Sequence, residues 1–156
     1  MLSLESVIKQ TSDLPVFSSA VQEVIRAADK PDSSPRDVAK ALRKDQGLVV
    51  KVLRLANSSW FGLSRSTDCL EQASMTLGVK GIRSLAIAAS SYSWLCRELP
   101  GWGIGPQQLW IHSSATALAA HRLAERSRLA DPDLALTSGL LHDIGLVAMS
   151  LALGTK

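Results

Sequence analysis

Two cysteines, Cys69 and Cys96, are too few for a disulfide framework, and neither has the CxxC partner or nearby histidine of a zinc clip. They read as buried thiols. Gly (10) and Pro (6) are too scarce for a collagen-like or low-complexity chain. Aromatic residues make up only 4% of the chain, and Thr, Tyr and Phe are outnumbered by Ala, Leu, Arg and Ser, which argues against a sheet. No uninterrupted apolar run reaches the roughly eighteen residues of a membrane span. The most apolar stretch, Ala135 to Leu153, carries His142 and Asp143 at its centre. The start, MLSLESVIKQ, has Glu5 where a secretory signal has a basic flank and then an apolar run, so the expected location is the cytoplasm. Charge of one sign is also lacking: 17 basic and 14 acidic residues leave a net +3, which permits a polyanionic partner without implying one.

What is present, 46% hydrophobic and 20% charged residues in a chain of 156, suits one folded domain able to bury its own core. The apolar spacing is helical nearly throughout, so the expected fold is all-α. Leu4, Val7 and Ile8 predict a short helix that ends at Asp13-Leu14-Pro15. Ala20, Val21, Val24, Ile25 and Ala28 predict an amphipathic one. Ser34, Pro35 and Asp37 then suit the cap, first position and positive end of a helix reaching about Lys44. Between Gln46 and Asn57 apolar side chains cover more than half the circumference, which predicts a central helix. Ser58 to Thr67 reads as a loop, after which Thr67 or Asp68 caps a short helix ending at Gly78. A long helix follows from about Val79 to Leu99. Residues 100–106, with three glycines and two prolines, read as a connection between an N-terminal lobe (1–99) and a C-terminal one (107–156). The latter holds helices from about Pro106 to Arg128 and from about Asp131 to Ala152.

LLHDIGL, residues 140–146, sets a His-Asp pair within that last, apolar helix. A buried carboxylate there costs several kcal/mol unless it is paired, hydrogen-bonded or bound to a metal. Adjacent helical residues project about 100° apart, so His142 and Asp143 reach one ion only if the helix faces a pocket. Gly139 and Gly145 leave that face bare for close approach by another helix or a ligand. Helical spacing turns His112 inward, with Leu109, Thr116, Ala119 and Leu123, and His121 outward. His112 is therefore the residue expected to meet His142.

A histidine followed about thirty residues later by His-Asp resembles the start of the HD superfamily of metal-dependent phosphohydrolases. LPVFSSAVQEVI (14–25), LVVKVLRLANSSWFG (48–62), ASMTLGVKGIRSLAIA (73–88), LWIHSSATA (109–117) and SGLLHDIG (138–145) together resemble the HDOD domain, the HD-related output domain of bacterial signalling proteins. The resemblance implies an all-helical bundle of the HD-related type that acts in regulation, through contacts with other signalling proteins, and without established catalysis. It also implies His112, His142 and Asp143 as candidate or vestigial metal ligands. HD hydrolases complete their site with a later aspartate, and no Asp, Glu or His follows Asp143 here. Leu146 stands where HD-GYP phosphodiesterases usually carry lysine, and GYP itself is absent. Family members continue with further helices, so a C-terminally incomplete domain is expected.

The trio admits a functional metal site or a polar cluster in which an imidazole N–H donates to Asp143 and fixes helix packing; the second is preferred, and no cofactor is expected. The alternative is a metal-dependent hydrolase of a nucleotide or cyclic dinucleotide. Asn57 forms either a polar binding corner or a local turn. Trp60, Phe61 and Trp102 are either anchors for a partner or plugs beneath a loop. Arg36, Lys40, Arg43 and Lys44 share one helix face, a basic patch for nucleic acid in a second alternative, disfavoured because Asp37 and Asp45 interrupt it and no aromatics are interleaved.

Overall fold

Side chains that accept from free backbone N–H groups fix where the helices begin. The computed structural model describes residues 16–58 and 66–153. Ser18 caps α1 (Ser19–Ala28) by accepting from Val21 N–H at 3.4 Å. At α2 (Pro35–Leu42), Ser34 and Asp37 each accept from the other's backbone N–H and Pro35 takes the first position, as the sequence predicts. Asp45 caps α3 (Gln46–Ala56), accepting from Leu48 N–H at 2.9 Å. The helix expected over Leu4, Val7 and Ile8 lies outside the described residues, as does most of the Ser58–Thr67 loop.

α4 (Leu70–Leu95) is broken at Gly78, whose φ of 71° and ψ of −179° are accessible essentially to glycine alone. The expected stop therefore holds, with a second segment starting at Val79. The Cys69 carbonyl accepts from Ala73 N–H at 3.0 Å, which makes Cys69 the cap position rather than Thr67 or Asp68. The Thr67 hydroxyl instead accepts from Cys69 N–H at 3.1 Å, ahead of the first turn.

The described residues group into two compact units, Phe17–Ser91 and Tyr92 onward, so the division falls inside α4 and not at residues 100–106. The Gly/Pro-rich segment fails as a linker because it closes on itself. Leu99 N–H donates to Ile104 O at 2.8 Å, and Trp102 N–H donates back to Leu99 O at 2.9 Å around a 3-10 turn at Pro100–Trp102. Leu99 itself is buried. α4 accordingly ends at Leu95, short of the expected Leu99.

In the first unit α1 contributes Val21 and Val24, α2 Val38 and Leu42, α3 Leu48, Val52 and Ala56, and α4 Leu70, Ile82 and Leu85 to a single core. Each fully buried large side chain among these stabilises the fold by about 1.5–3 kcal/mol. α3 is not the central helix. It fully buries Leu48, Val52 and Ala56, with Val49, Leu53 and Leu55 partly buried against the same core, while Val50 is exposed beside Lys51. The central element is α4 from Gly81 to Ser91, where only Arg83 and Ser90 are more than slightly accessible. Its small residues hide that role from a hydrophobic pattern, and Ser91 is satisfied locally, its Oγ donating to Ile87 O at 2.8 Å.

The second unit contains α5 (Gln108–Ser127), α6 (Pro132–Leu141) and α7 (Ile144–Leu153). Asp131 caps α6 and Pro132 opens it, as expected. A β-carbon on Gly139 would stand 2.8 Å from Ala117 Cα, so α5 and α6 meet backbone to backbone. Tyr92 and Trp110 pack edge to face with centroids 4.9 Å apart. Among the described residues the β structure amounts to one isolated bridge, Leu99 to Ile104, and the all-α expectation holds. The stretch Pro132–Leu151, with mean hydropathy 1.5, is long and apolar enough by composition to cross a membrane, and 22% of it is buried. A turn at His142 and Asp143 interrupts it.

Candidate metal centre

The expected helix from Asp131 to Ala152 is two helices, and His142 and Asp143 are the two residues between them. The apolar pattern runs unbroken across this joint, so periodicity gives no sign of it. Freed from the helix interior, the two side chains reach a common point. Leu146 N–H donates to Asp143 O at 2.9 Å and starts α7.

His142 Nδ1 lies 2.7 Å from the Gly139 carbonyl oxygen. A carbonyl only accepts, so Nδ1 carries the proton and Nε2 is the nitrogen presented to the other residues. His142 Nε2 stands 3.0 Å from Asp143 Oδ2 and 3.2 Å from His112 Nε2. His112 Nε2 closes the triangle at 3.3 Å from Asp143 Oδ2. An ion about 2.1 Å from each donor sets neighbouring donors roughly 3.0 Å apart at right angles and roughly 3.4 Å apart at the tetrahedral angle. The triangle thus has the dimensions of one face of a coordination sphere. Two imidazoles and a carboxylate with open positions suit a divalent transition metal. The Gly139 carbonyl is the outer partner that fixes the ring of His142.

The same atoms also suit a hydrogen-bonded cluster, with an imidazole N–H donating to Asp143. Among the described residues no fourth histidine, cysteine or carboxylate joins them. The meeting of His112 with His142 is as expected, but the inward orientation of His112 is not: its side chain is 58% exposed, against 24% for His121. α5 is rotated from its expected setting: its buried stripe runs through Leu109, Ser113, Ser114 and Ala117, and its backbone at Ala117 meets the bare face of Gly139. Leu123 and Ile111 are left outside. His121 faces Glu125 at 3.7 Å.

Asn57 is occupied locally rather than free to form a binding corner. Its Nδ2–H donates to Thr67 O at 2.9 Å, and its Oδ1 accepts from Thr67 N–H at 2.8 Å. Trp60 and Phe61 lie outside the described residues. Trp102 is partly exposed in its 3-10 turn. The basic patch is divided: Arg43 pairs with Glu71, and Lys44 with Glu23 at 2.5 Å. The Lys44 ammonium holds the Glu23 carboxyl below its ordinary range. Hydrogen bonds from its own backbone and from Cys69, ahead of Arg43, do the same for Glu71.

An all-helical chain that brings His-Asp in the turn between α6 and α7 to a histidine on α5 has the form of an HD-related domain. The sequence profile of the HDOD domain matches residues 14–156, and the chain belongs to that family. It is 27% identical over 151 residues to an uncharacterised protein of Treponema pallidum (strain Nichols), covering 94% of this chain and 28% of that protein. A crystal structure of an HDOD domain protein of unknown function from Geobacter sulfurreducens superposes with a TM-score of 0.73 at 25% identity. That match covers 94% of this chain and 51% of the solved one. The chain therefore spans about half or less of the relatives it matches.

Proposed function

We propose that the domain is a cytoplasmic module of bacterial signal transduction that acts through contacts with other signalling proteins and not by catalysis. The observation that supports this reading is membership of the HDOD family, whose profile matches residues 14–156, and the donor count agrees with it over the residues described. Three donors converge, and among the described residues none adds the further carboxylate by which an HD hydrolase completes its centre. On this reading His112, His142 and Asp143 tie α5 to the turn between α6 and α7, and their chemistry is structural.

The test has two parts. Protein prepared with Mn²⁺, Fe²⁺ or Zn²⁺ is expected to retain metal below stoichiometry and to leave nucleoside triphosphates and cyclic dinucleotides intact. Photo-crosslinking side chains at Ile111 and Leu134, both exposed, are expected to give discrete protein adducts in the source cell that Arg122, on a solvated face, does not. Stoichiometric metal and phosphodiesterase activity, both lost in His142→Ala, would overturn the proposal.

A second reading is favoured by one observation, the dimensions of the donor triangle. Here the same three residues hold a divalent ion, which supplies Lewis acidity toward a phosphate ester. His142 would bind through Nε2 with its ring fixed by Gly139 O, and His112 and Asp143 would complete the face.

A further inference from the structure

α1 and α2 run antiparallel across a short connection, and a cleft of about 430 Å³ lies between them, lined by Glu23, Arg26, Lys30, Asp37, Lys40 and Lys44. Its floor is Ala27 and Ala41, small enough to leave the space open. The size suits a small-molecule site. Four cations face two carboxylates there, and neither carboxylate is free. Glu23 is paired with Lys44, and Asp37 accepts from both Ser34 N–H and Ser34 Oγ–H as the cap of α2. No carboxylate among the described residues stands within ion-pair distance of Arg26, Lys30 or Lys40.

A solvated helix face normally intersperses its charges. Here Arg26, in the last turn of α1, and Lys30, just beyond it, line one wall, and Lys40, in the last turn of α2, and Lys44, just beyond it, line the other. The negative ends of the two helices account for cations there, but not for their convergence on one open cleft with only Lys44 of the four paired to a carboxylate. The field also reaches Asp37, whose carboxyl lies below its ordinary range through the Ser34 hydrogen bonds first and through Lys30 and Lys40 in addition.

We propose that the cleft between α1 and α2 binds a small anion bearing two or more phosphate groups, with Arg26, Lys30 and Lys40 as the contacts. Arg26 offers a planar fork for two phosphate oxygens, and the two lysines supply mobile point charges on either side. A single phosphate leaves part of this charge unmatched. A nucleic-acid strand is disfavoured, because the lining holds no aromatic ring on which bases could stack. The site lies wholly in the Phe17–Ser91 unit and does not depend on how the histidine triad is read.

Calorimetric titration at low salt with inorganic tripolyphosphate, ATP, orthophosphate and a short single-stranded oligonucleotide tests the assignment. Tripolyphosphate and ATP are expected to bind in a salt-sensitive manner, and orthophosphate at least tenfold more weakly. Equal affinity for the first two assigns recognition to phosphate alone, and tighter ATP assigns it to a nucleotide; both support the site. The Arg26→Gln/Lys40→Gln variant is expected to weaken binding by roughly tenfold per cation removed. Its melting temperature should be nearly unchanged, because both side chains are exposed. Arg122→Gln, in the other unit, should bind as the unaltered protein does. No binding of either polyphosphate at millimolar concentration would overturn the proposal, as would undiminished binding in the double variant. Stronger binding of the oligonucleotide at equal phosphate concentration would do the same.

Discussion

Gly139→Ala tests the close packing that brings the histidines together. The added β-carbon would stand 2.8 Å from Ala117 Cα, 3.0 Å from Thr116 O and 3.1 Å from Ala117 N. Carbon atoms rest about 3.5–4.0 Å apart, so α5 and α6 must separate by roughly 0.7 Å. All three obstacles are backbone, and none can rotate aside. Overpacking costs about 1–3 kcal/mol, and an immovable neighbour places this case near the upper end. Alanine recovers about 1 kcal/mol over glycine within a helix, which leaves a net loss of about 2 kcal/mol. Urea denaturation should show a lower midpoint with an unchanged slope. The imidazole resonances of His112 and His142, 3.2 Å apart across the same joint, should move, while that of His121 stays in place. Gly145→Ala is the control, since no atom lies within 4 Å of its added carbon. It should be neutral or stabilising by up to about 1 kcal/mol. A Gly139→Ala protein as stable as the parent, or a Gly145→Ala protein equally damaged, would refute the reasoning.

Gly78→Ala meets no steric obstacle, yet its φ of 71° should cost about 1–3 kcal/mol in the same denaturation assay. Leu140→Ala, at a site 1% exposed, should cost about 2–5 kcal/mol, whereas Leu129→Ala, at 90% exposure, should stay within about 0.5 kcal/mol. Asp37 has a folded pKa below its unfolded value because it accepts from Ser34, so its contribution is complete above the unfolded value and is lost as pH falls through the folded one. A urea midpoint followed from neutral pH into the acid range should therefore decline less steeply in Asp37→Asn than in the parent.

Local chemistry was the most legible part of the sequence. Ser34, Pro35, Asp37, Asp131 and Pro132 each act over three or four residues, and the structure uses them as their types predict. Gly78 was readable as a stop because a chain break there needs only one residue's torsion angles. The joint at His142 and Asp143 was not, since apolar residues continue at helical spacing on both sides. The rotation of α5 was missed for a related reason: hydrophobic ranking placed Leu123 inside with His112, while the buried stripe carries the small side chains of Ser113, Ser114 and Ala117, and it is the backbone at Ala117 that meets Gly139. The pairing of His112 with His142 came from the bare face at Gly139 and Gly145 together with a helical spacing that turned His112 inward, an orientation the structure does not have. The fixed proton on His142 Nδ1 depends on a carbonyl position that no residue identity reveals. The cleft between α1 and α2 went unseen because Lys40 and Lys44 were grouped with Arg36 and Arg43 on one helix face, and the sequence does not show that Arg26 and Lys30 lie across from them.

The middle of α4 buries Ser84, Ala86, Ala88, Ala89 and Ser91 among only three larger side chains, Ile82, Leu85 and Ile87. Most proteins are injured at the centre by removal of bulk. This segment has little bulk to lose, and its alanines and serines stand where neighbouring chains leave no spare volume. Its intolerance is therefore of the opposite kind: shrinking changes are mild, and one extra methylene has nowhere to go. Sequence drift in this domain should be freest in the size of its outer leucines and most restricted at residues that a hydrophobicity scale ranks as unimportant.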